Sequence, residues 1–249
     1  MAIIPSKSYV LDSRLKNVGS VNNVAVFNCS TAGNIEAGTY ELLKFHSTNG
    51  VYNVDATNNQ IYFDEGAAEL GAVTIPSGYY ATPAALAAAA KIVMDAVSAT
   101  TYTIVYVPLT NSFLFTPAAG TFKFNWGTNR LQPIAATQLG FSRIDGVLAA
   151  TQTSSLSVNM DPHPGLLVKI DEDANNNITL LDGSNYSFYI PLTVGFSEEI
   201  DTLSHSVFSQ TCKFDGAFSS LTVRLFLDEG TVLPLVNTSS YELVIRKLF

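Results

Sequence analysis

The stretch of this 249-residue chain best equipped for chemistry runs from Asp171 to Asp182. Asp171, Asp173, Asn175 and Asn177 set oxygen-bearing side chains at alternate positions, with Thr179 and Asp182 beyond them. Calcium takes roughly six to eight such oxygens from a tight loop, usually with an acid near the twelfth position. Two features depart from that pattern: Asn176 stands where a glycine is expected, and the flanks read as strands rather than helices. A polar hairpin tip fits better, so Asp171, Asp173, Asn175 and Asn177 form the one candidate metal loop in a chain expected to carry no cofactor.

Other chemistry is thinner. The sequence contains no GxGxxG, no phosphate-binding GxxxxGK[ST], no HExxH and no GxSxG. His46, His163 and His205 are far apart in sequence, and His163 lies between Pro162 and Pro164. The acidic pairs Asp64-Glu65, Glu198-Glu199 and Asp228-Glu229 sit beside turn residues. Adjacent carboxylates on a strand point to opposite faces, which suits solvated turns better than an acid/base pair sharing one substrate. Cys29 and Cys212 are too few for a disulfide framework and read as two buried thiols. Four Asn-x-Ser/Thr acceptor patterns, at Asn28, Asn177, Asn185 and Asn237, read as chance in an Asn- and Ser-rich chain. No enzyme is expected.

Composition narrows the function further. Only 14% of residues are charged against roughly 25% in ordinary soluble domains, while 47% are hydrophobic. The net charge is −8, from 13 basic and 21 acidic residues. A grip on nucleic acid needs clustered Lys and Arg, and the short basic group Arg14, Lys16, Arg246 and Lys247 reads instead as solvated strand faces. Mean hydropathy is +0.22, yet no apolar run approaches the ~18 residues of a membrane span. The first residues, Met1 to Lys7, lack the basic and apolar regions of a secretory leader, so none is expected. A surface rich in neutral polar groups and aromatics suits packing against other subunits, because interface cores are depleted in charge.

The elements that position these residues are mostly strands. Leu221, Val223, Leu225 and Leu227 alternate with more polar neighbours, as do Tyr241, Leu243 and Ile245. Further strands are predicted at 24–29, 39–45, 60–64, 156–160, 166–171, 186–194 and 206–214, separated by Asn-Gly, Asp-Gly and Glu-Gly turns. Such spacing points to a sandwich or jelly roll. Residues 71–145 differ. Thr82 as N-cap and Pro83 at the first helical position open a helix of about fifteen residues, with Leu86, Ala90, Val93, Met94 and Val97 on one face. Strands predicted at 102–107, 113–116 and 121–126 follow, enough for a small α+β module with its own core.

Val73 to Tyr80, the alanine-rich helix, Tyr102 to Tyr106, Asn111 to Phe115, Thr121 to Trp126 and Leu139-Gly-Phe141 resemble the helix-and-sheet module of minor capsid and penton proteins in double-jelly-roll DNA viruses, such as virophages and polinton-like viruses. The stretches Tyr186 to Leu192, Phe208 to Gln210, Leu221 to Leu227 and Tyr241 to Ile245 resemble the later strands of their vertex jelly roll. The resemblance implies a mainly β protein: a single jelly-roll β-sandwich of residues 13–70 and 146–249, with an inserted α+β module at 71–145 and an N-terminal arm at 1–12. It implies a virion protein forming a homopentamer at fivefold vertices, whose partners are copies of itself, the major capsid protein and other minor capsid proteins. Subunit contacts are expected at Ile3, Ile4, Pro5 and Tyr9 in the arm and at Tyr79, Tyr80 and Phe141 near loop ends. A host-attachment or glycan-binding role, with Trp126 stacking on sugar rings, is the alternative.

Overall fold

The structure is a computed structural model that describes residues 7–16, 24–28, 34–66, 69–127, 134–170, 178–179, 185–194, 196–203, 210–227 and 240–248. In chain order the first strands are β1 (Ser8–Asp12), β2 (Val24–Asn28), β3 (Gly38–Thr48), β4 (Gln60–Asp64) and β5 (Glu69–Thr74). Helix α1 (Pro83–Asp95) precedes β6 (Tyr102–Val107), β7 (Ser112–Pro117), β8 (Lys123–Phe124) and β9 (Gln152–Thr153). Then come β10 (Gly165–Ile170), β11 (Ile178–Thr179), β12 (Asn185–Tyr186) and β13 (Phe188–Pro191). The last are β14 (Glu199–Leu203), β15 (Thr211–Phe214), β16 (Ser220–Leu227) and β17 (Tyr241–Lys247). They form two compact units, one of residues 1–51 and 163–249, the other of residues 52–162.

The first unit is a jelly roll. One antiparallel sheet runs β1-β17-β3-β14, with β15 pairing on β3 beyond β14, and the other runs β13-β10-β16-β2. Period-two alternation explains the division of faces. In β16 the buried residues are Leu221, Val223, Leu225 and Leu227, and in β17 they are Tyr241, Leu243 and Ile245. Both sheets contribute to one core, which includes Tyr40, Phe45, Val168, Phe188 and Phe214. Tyr40 meets Phe214 edge-on at 5.0 Å, and Phe45 stacks on Tyr241 at 5.9 Å.

The Tyr241 hydroxyl is buried without a hydrogen-bond partner among the described residues, and burial pushes its pKa well above the usual 10.0. An unsatisfied buried hydroxyl costs about 1–3 kcal/mol, so removing it relieves a penalty while keeping the ring. Tyr241→Phe is therefore expected to leave the unfolding free energy from denaturant titration unchanged or raise it, by up to about 1 kcal/mol; a fall of that size would show a hidden partner for the hydroxyl.

The second unit holds two small antiparallel sheets, β5-β4-β8 and β6-β7-β9, and the helix. Thr82 caps α1 through its side chain, accepting from the Ala85 N–H, and Pro83 occupies the first turn. Leu86, Ala87, Ala90 and Met94 face inward and the helix packs on β6. It stops at Asp95, whose Oδ1 accepts the Tyr102 N–H at 2.7 Å. Val97, expected on the buried face, lies past this stop and is exposed.

Several expectations need correction. Residues 8–12 are not an arm: β1 pairs along its whole length with β17 and buries Tyr9 and Leu11. The second unit begins at residue 52 and ends at 162, wider than the 71–145 expected, because β4 pairs with both β5 and β8. Residues 156–160 are not a strand. Their N–H groups go instead to irregular partners, Leu156 to the Gly140 carbonyl and Val158 to the Asn111 carbonyl.

Candidate assembly surfaces

The residues expected at subunit contacts divide three ways. Ile3, Ile4 and Pro5 lie outside the described residues, as do Cys29, His205 and the candidate metal loop Asp171–Asn177. Tyr9 and Phe141 are interior. Tyr9 packs on Tyr40 in the jelly-roll core, and Phe141 contacts Phe115, Phe124 and Trp126 in the second unit. Tyr79 is exposed at 42%, and Tyr80 is half-buried with its hydroxyl donating to the Pro76 carbonyl at 2.7 Å. Trp126 is only 1% exposed, stacked on Phe124 at 4.9 Å. It presents no face to a sugar, and the glycan-binding expectation loses the residue it rested on.

Among the described residues, no three His, Cys, Asp or Glu side chains converge as a metal-binding group. His163 is buried in the first unit, whereas His46 lies on the outer face of β3. That face carries a concentration of charge which sequence reading missed. Register places Asp12 opposite Glu242, Glu242 opposite His46, and His46 opposite Asp201, a row crossing four strands. Lys44, on the adjacent row, reaches Glu242 at 3.6 Å and Asp201 at 3.9 Å. A cleft of about 330 Å³ opens here, lined by Asp12, Arg14, Lys44, His46 and Glu242 among others. The four basic residues flagged in sequence are all engaged with their own chain: Arg14 with Asp12, Lys16 with the Ser13 carbonyl, Arg246 with Glu41, and Lys247 with Glu36.

The outward face of the other sheet is mixed: Val24, Val26, Tyr189 and Phe226 lie on it half-buried beside Thr222, Lys169 and Arg224, and Leu167 is buried. Its edge strand β13 is closed by a side chain: the Gln210 amide accepts from the Tyr189 N–H and donates to the Tyr189 carbonyl, as a neighbouring strand would. In the second unit Ile92, Leu109 and Val147 stand exposed at 69%, 95% and 82%.

Two carboxyls, Asp12 in the first unit and Asp64 in the second, tie stability to pH. Hydrogen bonds from the Arg14 side chain hold the Asp12 carboxyl below its usual 3.8. Burial acts most strongly on Asp64 and pushes it up, but the Gly66 N–H, Lys123 and Asn125 together outweigh it and leave the carboxyl lowered. A depressed carboxyl contributes stability that is complete above the unfolded value and drains away as pH falls through the native one. Melting temperature is accordingly expected to be flat above about pH 5 and to fall below it. Arg14→Ala should flatten part of that acid limb; an unchanged limb would exclude Asp12 as a contributor.

The order of the eight strand positions, with β14 and β15 sharing one, defines a jelly-roll protein whose third and fourth strand positions are separated by an inserted α+β unit. That arrangement is the fold of a solved viral protein. The mavirus penton protein matches over 97% of this chain and 98% of its own, with a TM-score of 0.51 at 8% identity. The structure of the Sputnik virophage also matches, covering 97% of this chain and 98% of that one, with a TM-score of 0.40 at 10% identity. By sequence, no family model and no curated protein matches the chain.

Proposed function

We propose that this chain is a structural capsid protein, the subunit of a homopentamer that closes fivefold vertices and contacts the major capsid protein. One observation carries the reading: the jelly roll with its inserted unit shares a fold, nearly end to end, with a protein described as a penton. The composition supports it, since a charge-poor, aromatic-rich chain can form interfaces without stripping water from many ions. The exposed Ile92, Leu109 and Val147 of the second unit supply apolar contact area of that kind. Its place is the virion, and no catalytic role is assigned to it.

The test is the mass of the purified chain in native mass spectrometry at micromolar concentration. Five copies of the 26.7 kDa chain give about 134 kDa, which is the expected species. A strict monomer or trimer would overturn the pentamer.

A further inference from the structure

We propose that the two free edges of the charged sheet, β1 and β14, pair with each other between neighbouring copies, so that the sheet runs on from one subunit into the next. The inference rests on the ring-forming reading above and deepens it by naming the contact. Among the described residues, β1 and β14 are the outermost strands of the order β1-β17-β3-β14. Unpaired edge strands are templates for another strand unless they are blocked, and β13 of the other sheet is blocked by Gln210 whereas no described residue bonds to the outward backbone groups of these two.

The hydrogen-bonding parity of the edges agrees. The Lys247 N–H donates to the Lys7 carbonyl, so the bonded pairs of β1 with β17 fall at Lys7, Tyr9 and Leu11. The N–H and C=O groups of Ser8, Val10 and Asp12 therefore point out from the edge. At the other side, the Asn49 N–H donates to the Glu198 carbonyl, so Glu198, Ile200 and Thr202 bond to β3. The backbone groups of Glu199 and Asp201 point out there. On both strands the outward-pointing residues lie on the charged face while Tyr9, Leu11 and Ile200 lie on the core face. An added strand thus keeps core side with core side. Direction agrees too: β1 runs parallel to β3 and β14 runs antiparallel to it, so β1 of one copy meets β14 of the next antiparallel.

Charge is complementary. The end of β1 that meets the start of β14 leads into Arg14 and Lys16 against Asp12 alone, a local excess of one positive charge on a chain of net −8. The β14 edge carries Glu198, Glu199 and Asp201, all exposed. Like edges would repel, so a copy joins its neighbour head to tail, and such a heterologous contact closes into a ring when the rotation permits.

Val10→Pro tests the contact. It deletes an outward N–H and leaves the bonds to β17 in place, a position where strands tolerate proline. With circular dichroism unchanged, the concentration at which half the chains assemble, read by sedimentation velocity, is expected to rise at least about tenfold. Assembly equal to wild type would overturn the proposal while leaving the ring intact. A wild-type chain that stays monomeric would overturn the ring reading and the contact together. Should Val10→Pro not fold, charge reversal decides: Lys16→Glu or Glu199→Lys should each raise the half-assembly concentration at least about tenfold, and the two together should restore it. Failure of the double variant to regain assembly, or wild-type assembly by either single variant, counts against the contact.

Discussion

Phe124→Ala is expected to shift the urea midpoint of the second unit downward by about 1.5–2.5 M. Phe124 is the hub of that core. Its ring centroid lies 5.0 Å from Phe115, 5.2 Å from Phe122, 4.9 Å from Trp126 and 4.9 Å from Phe141. Truncating a buried phenylalanine costs about 3–5 kcal/mol through lost burial and the cavity left behind, a large part of the 5–15 kcal/mol that holds a typical domain together. Collapse cannot refill the gap easily, because the backbone beneath it is pinned: the Phe124 carbonyl accepts the Gly146 N–H at 2.8 Å, and Phe124 pairs with Phe63 across β8 and β4. Trp126 is the one tryptophan in the chain and stacks on Phe124. Its fluorescence therefore reports this core. A midpoint shift below about 0.5 M would mean that Phe124 is not the centre of the packing.

Gly140→Ala should be nearly as damaging, by about 3 kcal/mol, although it adds a single methyl group. Gly140 has φ of 76°, a left-handed conformation that disfavours any side chain. A Cβ there would also stand 2.5 Å from the Leu156 carbonyl oxygen and 3.1 Å from the Ser154 Cβ and Oγ. The neighbour at 2.5 Å is backbone, and it belongs to the residue whose N–H donates to the Gly140 carbonyl at 2.8 Å, so relief of the clash breaks that bond. Gly120 separates the two causes. Its φ is 81°, but nothing lies within 4 Å of an added Cβ, and Gly120→Ala should cost only the conformational part, about 1 kcal/mol. Equal losses at the two positions in thermal melts would show that crowding at Gly140 contributes nothing.

Local rules made some of this structure readable. The α1 start at Thr82 and Pro83 follows from hydrogen-bond supply at a helix N-terminus, and the faces of β16 and β17 follow from strand pleating. The jelly roll followed from strand spacing together with the resemblance to vertex proteins, and its strand order bears that out. Less legible was whatever depends on distant partners. Tyr9 resembled an arm residue because nothing near it in sequence announces β17, more than 230 positions away. Trp126 and Phe141 looked available because an aromatic side chain carries no mark of whether another ring covers it. Residues 52–70 looked like jelly-roll strands because β4 and β5 alternate as any hairpin does. On the charged face, the individual charges were visible while the row Asp12, Glu242, His46 and Asp201 was not, since only register aligns four strands.

The discontinuity of the first unit sets an order of events during synthesis. Residues 52–162 are contiguous, so that unit has all its strands as soon as it leaves the ribosome. The jelly roll does not: Ser47 on β3 must wait for Ser240, 193 positions later, and Ser13 for Tyr241, 228 later. At about 5–20 residues per second, β3 waits roughly 10–40 s for its central partner β17. The strand that inserts between β1 and β3 is thus made long after both of them, and the edges able to recruit another copy come into being only once residues 241–247 have emerged.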